Sequence, residues 1–193
     1  YSTIQRNAER ILQLVNQLMD IRKIDKGQMS LMFKKAEIVS FTRDLLETFE
    51  QQTRVKKLDL KFHTSAPEIE MWIDPKNFDK IILNLLSNAC KFTPENGQVE
   101  ISLSTGEDTH LPQNAPQRRY VELTVADSGI GIASTEREHI FERFYQIRNS
   151  QNNSNIGTGI GLHLTRSLVE LHYGNIHVED NGEGRPGSRF IIR

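Results

Sequence analysis

Asn84, Asn88 and Lys91 stand at i, i+4 and i+7 of the segment Pro75 to Phe92, whose apolar residues recur at helical spacing. Advancing about 100° per residue from Asn84 puts these three between about −20° and 40°. Phe78, Ile81, Ile82, Leu85, Leu86, Ala89 and Phe92 then fall between about 60° and 200°. The segment predicts a helix with an apolar arc for a core and a polar arc directly beside it. Two amides and an ammonium stacked on one arc can offer carbonyl oxygens to a hard cation and positive charge to a phosphate. A solvated face with incidental asparagines is the plainer reading, yet asparagine forms helices poorly and two of them lie one turn apart. Cys90 falls outside both arcs and receives no role.

Two glycine-bearing groups follow. Asp127-Ser128-Gly129-Ile130-Gly131 comes directly after Tyr120 to Ala126, an apolar run that reads as a strand. A carboxylate at a strand end only accepts hydrogen bonds, and the glycines after it let a flat ligand approach the backbone. Gly157-Thr158-Gly159-Ile160-Gly161-Leu162 opens a predicted helix, where free N–H groups and the positive dipole end suit a polyphosphate. Taken singly, the first is a common turn and the second a glycine run. A dinucleotide-binding βαβ unit would need a strand immediately before the glycines, whereas the Asn-rich stretch Asn149 to Asn155 precedes them, so that reading is rejected.

The elements that must hold these groups come from periodicity. Ile4, Ile11 and Leu18 recur every seven residues, with Leu14 and Ile21 three residues after the last two of them, which predicts a bundle or coiled-coil helix over Tyr1 to Asp25; packing on its own domain is the alternative. Lys26-Gly27 breaks it, and a second domain is expected over 28–193. There the pattern predicts strands at Gln28 to Lys35, Leu58 to His63, Glu70 to Ile73, Gln98 to Ser104, Tyr120 to Ala126, Ile176 to Glu179 and Ser188 to Ile192. Helices are expected at Ile38 to Gln52, Pro75 to Phe92, Glu136 to Tyr145 and Gly159 to His172. Antiparallel strands with segregated helices make an α+β two-layer sandwich.

Composition bounds the function. With 24 Lys+Arg against 25 Asp+Glu in 193 residues, no overall positive field exists to hold nucleic acid. A single cysteine cannot form an internal disulfide and suits a reducing, cytoplasmic setting. No apolar run reaches the roughly 18 residues of a membrane helix, and the start without Met reads as a fragment of a longer chain.

Taken together and in this order, the groups resemble sensor histidine kinases. Asn84-Leu-Leu-Ser-Asn88-Ala-Cys-Lys91-Phe-Thr93-Pro resembles their N box, and Asp127-Ser-Gly129-Ile-Gly131 their first glycine box. Phe141-Glu-Arg143-Phe144-Tyr145 resembles the F box, and Gly157 to Leu162 the second glycine box. Residues 1–27 resemble the second helix of the family's dimerisation and phosphoacceptor hairpin with its linker. Leu18-Met-Asp-Ile-Arg-Lys-Ile24 is similar to hybrid two-component sensors.

The resemblance implies a Bergerat (GHKL) ATP-binding fold, with ATP and Mg²⁺ between the N-box helix and a lid at Gln146 to Thr158. It implies that Asp127 receives the adenine amino group and that Asn88, with Asn84, ligates Mg²⁺. Lys91 balances phosphate charge. Gly129 and Gly131 admit the base, while Gly159 and Gly161, flanked by Thr158 and Leu162, present N–H groups to the phosphates. Arg143 is expected on the terminal phosphate or the phosphoacceptor helix, and Phe141 and Phe144 at the lid, Phe144 also lining the nucleotide site. The implied partners are a phosphoacceptor helix of the full-length chain or its dimer mate and a response-regulator receiver domain. The implied setting is the cytoplasmic portion of a membrane-anchored homodimer.

One departure matters. None of His63, His110, His139, His163, His172 and His177 is followed by the acidic residue and proline of a phosphoacceptor box, so this stretch is not expected to phosphorylate itself. Related ATPases of the gyrase and chaperone type carry a Glu general base at the place of Asn84. An amide cannot take that proton, which predicts slow hydrolysis. A nucleotide-holding or docking module without transfer is the remaining rival.

Overall fold

Glu37 starts the first helix of the domain body by itself. Its carboxylate accepts from the N–H groups of Val39 and Ser40 at 2.9 and 2.7 Å, satisfying first-turn donors that have no partner inside the helix. The computed structural model describes residues 2–107, 119–147, 157–182 and 184–193. The elements run α1 (Ser2–Asp25), β1 (Lys34–Glu37), α2 (Ile38–Val55), β2 (Asp59–Thr64), β3 (Glu70–Ile73) and α3 (Pro75–Phe92). They continue with β4 (Gln98–Glu107), β5 (Arg119–Asp127), α4 (Gly161–Leu171), β6 (Ile176–Asp180) and β7 (Ser188–Ile192).

A five-stranded sheet has the order β2-β4-β5-β7-β6, and β1 pairs with β3 apart from it. Along β4, Val99, Ile101 and Leu103 are buried in alternation, and along β5 Leu123 and Val125 are buried on the same face, with Thr124 between them buried as well. Ile81, Ile82 and Leu85 of α3 and Leu164 and Leu168 of α4 join the same core, giving one layer of helices on one layer of sheet.

Four expectations are corrected. The sheet is mixed rather than antiparallel: β2 pairs with β4 in parallel, from Asp59 opposite Gln98 to Thr64 opposite Leu103. The chain between them holds β3 and α3, a crossover long enough to return to the same end of the sheet. In the stretch expected as a strand from Gln28, only Lys34 and Lys35 pair, because β3 is four residues long and Met32 N–H turns to Asp74 Oδ2 at 2.8 Å. The helix expected over Glu136 to Tyr145 is two short 3₁₀ turns, Ser134–Glu136 and His139–Phe141, after which Phe144 takes a left-handed φ of 65°. Cys90 is buried and Phe92 is 39% exposed, the reverse of their arc positions, because the end of α2 closes over that side of the last turn of α3.

The two ends of α1 differ in burial. Ile21 is buried and Ile24 packs on the core, whereas Ile4, at 77% exposure, and also Ile11 and Leu18 leave the seam open. Lys80 Nζ bonds Asp20 at 2.6 Å and Arg143 bonds Asp25 at 2.8 Å, fastening the end of α1 to the domain. Residues 148–156 of the expected lid and His110 lie outside the described residues. Among the described residues, no helix is long and apolar enough to cross a membrane.

Candidate functional site

The helix α3 that carries the two amides is fixed at both ends. Asp74 caps its start by accepting from Asn77 N–H at 3.1 Å, with Pro75 in the first turn, where no N–H partner is needed. At the far end the Lys56 ammonium donates to the carbonyls of Cys90, Lys91 and Thr93 at 2.7, 3.2 and 3.3 Å, placing positive charge on the negative end of the dipole. Between these caps Asn84, Asn88 and Lys91 are half-buried on one side. Among the described residues nothing bonds to the Asn88 amide. Burial, with a contribution from Arg10 of α1, lowers the pKa of Lys91. Its ammonium lies 4.7 Å from the Phe92 ring centroid.

Asp127 closes the end of β5. It is 5% exposed, its Oδ1 accepts Gly129 N–H at 2.8 Å and its Oδ2 accepts the Ser188 hydroxyl at 2.7 Å. Burial raises its pKa even though the bonds from Ser188 and Gly129 favour the charged form. The surroundings are as tight as the glycines suggest: a Cβ on Gly129 would come within 2.6 Å of the Phe92 carbonyl oxygen, and one on Gly187 within 1.7 Å of the Asp127 carbonyl oxygen. Asn181 secures the corner by donating to Asp127 O and Pro186 O, both at 2.7 Å.

The second glycine group meets the other end of the same polar arc. A Cβ on Gly157 would lie 3.2 Å from Lys91 Nζ, and one on Gly161 would lie 2.3 Å from Asn84 Oδ1. Gly159, at φ 68°, accepts the Phe144 N–H at 2.8 Å, so it is the backbone of Phe144 that supports the loop while its ring is 60% exposed. Helix α4 begins at Gly161 with no side-chain cap on its first turn and no acidic residue there, leaving its N–H groups open to an anion. Thr158 Oγ1 accepts from Ile160 N–H at 3.4 Å, and Leu162 packs on the core.

Arg143 points at α1. It bonds both Asp25 oxygens, at 2.9 and 2.8 Å, and approaches His163 Nε2 at 3.5 Å. Phe141 is buried edge-on to Phe190, with the Arg166 guanidinium 4.4 Å from its ring. Sequence reasoning missed Lys56, Thr165, Asn181 and Ser188. Thr165 was within reach of it, since it lies one turn beyond Gly161 on the same helix face; the others come from distant segments.

The family model described as "Histidine kinase-, DNA gyrase B-, and HSP90-like ATPase" matches residues 73–193. The sensor histidine kinase TmoS of Ectopseudomonas mendocina is 38% identical over 193 residues, all of this chain and 18% of its own length. The hybrid signal transduction histidine kinase D of Dictyostelium discoideum is 34% identical over 98% of this chain and 12% of its own length. The chain thus spans less than a fifth of either relative. Full-length ShkA in complex with AMPPNP matches with a TM-score of 0.78 at 25% identity, over 99% of this chain and 37% of that one. The catalytic domain of histidine kinase ThkA, nucleotide free, matches with a TM-score of 0.67 at 25% identity, over 84% of this chain and 96% of that one. ThkA in complex with response regulator protein TrrA, at 22% identity and a TM-score of 0.68, shares the fold, covering 94% of this chain and 48% of that one.

Proposed function

We propose, from the premise that the chain belongs to the family of histidine kinase-, DNA gyrase B- and HSP90-like ATPases, that it transfers the γ-phosphoryl group of ATP to a histidine on a dimerisation helix. Within that family it is the catalytic, ATP-binding domain of a two-component sensor histidine kinase, with the Bergerat fold. The observation that carries the proposal is the convergence on α3. One helix touches the adenine-side glycines through the Phe92 carbonyl and the phosphate-side glycines through Asn84 and Lys91.

In this reading Asp127 accepts the adenine amino group, Gly129 and Gly131 admit the ring, and the open N–H groups at Gly161 and Leu162 hold phosphate oxygens. Lys91 neutralises their charge. Among the described residues no group of three or more His, Cys, Asp or Glu could hold a metal ion. The open neutral amide of Asn88 would offer Mg²⁺ an oxygen, the donor a hard cation takes. Bound there, Mg²⁺ would supply charge neutralisation at the β- and γ-phosphates. Phosphoryl transfer chiefly needs alignment and charge stabilisation, since charge spreads over the transferring oxygens. The nucleophile, a neutral imidazole, would come from another segment of the full-length protein or its dimer mate. A receiver domain would then take the phosphoryl group, and a cytoplasmic location fits both partners.

Titrating the chain with a non-hydrolysable ATP analogue should give saturable binding. Adding a separate dimerisation fragment that carries the phosphoacceptor histidine, with ATP, should give acid-labile label on that fragment. Brisk hydrolysis by the chain alone would favour the ATPase reading against which Asn84 stands, and binding without label would favour a nucleotide-holding module.

A further inference from the structure

We propose that Asn84 is a pin between α3 and α4, with Thr165 as the positioning residue that holds it. This rests on the nucleotide reading above. Asn84 Nδ2 donates to Thr165 Oγ1 at 2.7 Å, and Thr165 is 1% exposed, so water cannot replace the bond. The other end of the amide is engaged too. Asn84 Oδ1 lies against Gly161, where a Cβ would come within 2.3 Å of it.

Gly161 and Thr165 are four residues apart and share a face of α4, so the Asn84 side chain fits between hydrogen and hydroxyl across one turn. Gly161 is therefore small for the sake of Asn84. The first turn of α4 carries the uncapped N–H groups, and its distance from Lys91 and Asn88 is set by this pin. Asn88, one turn along α3, has no partner among the described residues and keeps its oxygen for a ligand. A pin acts on the phosphates whether or not a cation is present, whereas a ligand acts only through the cation.

The experiment is calorimetric titration of the 193-residue chain with a non-hydrolysable ATP analogue, once in Mg²⁺ and once in EDTA, for Asn84→Ala, Thr165→Val, their double variant, Thr165→Ser and Asn88→Ala. Thr165→Val and Asn84→Ala should each weaken binding by about threefold to tenfold in both media, the scale of one buried hydrogen bond. The double variant should be no weaker than the worse single, Thr165→Ser should titrate as wild type, and Asn88→Ala should lose affinity only in Mg²⁺. Loss confined to Mg²⁺ for Asn84→Ala, or wild-type binding by Thr165→Val, would overturn the pin. A wild-type chain that binds in neither medium would sink the nucleotide reading instead. The pin would then be read from a double-mutant cycle in urea unfolding, where additive costs overturn it and a shared cost upholds it.

Discussion

Ser188 donates its hydroxyl proton to Oδ2 of Asp127 across 2.7 Å, so the carboxylate that closes β5 is aimed by a residue from the neighbouring strand β7. Both carboxylate oxygens of Asp127 are held, by Ser188 and by Gly129 N–H, and the group cannot swing away from an adenine amino donor. Asp127→Asn exchanges an acceptor for an amide that can present N–H to that donor. Nucleotide affinity should fall by about one to two decades, equivalent to about 1–3 kcal/mol, as read by titration. An unchanged dissociation constant would remove Asp127 from the site.

The acid side of nucleotide binding should also report on this pair. Burial raises the Asp127 pKa against the bonds from Ser188 and Gly129, so the fold disfavours the ionised form. The chain then gives up stability as pH climbs from the ordinary aspartate value, about 3.9, through the raised one. Nucleotide affinity, which needs the ionised acceptor, falls as pH descends through that raised value. Ser188→Ala deletes a bond to the ionised form and should move this acid limb to higher pH. A limb that stays put or moves lower counts against the assignment.

Glu37 gives an opposite sign. Burial pushes its carboxyl up, but the N–H groups of Ile69, Ser40 and Val39 outweigh it and lower the pKa from 4.5 to about 2. Its contribution to stability is complete above the unfolded value and is lost as pH falls from 4.5 towards about 2. Glu37→Gln keeps an acceptor and abolishes the titration. Thermal unfolding followed across that window should be flatter for the variant, at a cost near neutral pH of about 0.5–2 kcal/mol for the weakened cap.

Lys56→Met should lower the urea midpoint without altering the slope, because three carbonyls at the end of α3 lose a charged donor and no new surface opens on unfolding. The expected cost is about 1–2 kcal/mol. Lys56→Arg should recover part of it, since the charge on the dipole end remains. A midpoint equal to wild type for Lys56→Met would show that water serves those carbonyls as well.

What the sequence reveals depends on how local the cause is. The limits of α3 are legible because Asp74-Pro75 is a start signal and the apolar period runs unbroken to Phe92. Asp127 and the glycines after it are legible because an apolar strand ends beside them. The orientation of β2 to β4 is not, since a period of two announces a strand and says nothing of its neighbour's direction. The short turns around His139 fail the helical reading because apolar spacing over ten residues cannot reveal the reversal at Phe144. Ser188 and Thr165 escape for a third reason: each acts on a partner more than 60 residues away in sequence.

The parallel pairing of β2 with β4 makes α3 the bridge between two adjacent strands. Its face from Phe78 to Ala89 is buried in the core shared with the sheet, so opening α3 costs much of what unfolding the domain costs. A nucleotide held by α3 therefore lends its binding free energy to the entire sheet, and saturating nucleotide should slow hydrogen exchange at the edge strands β2 and β6 that it never touches.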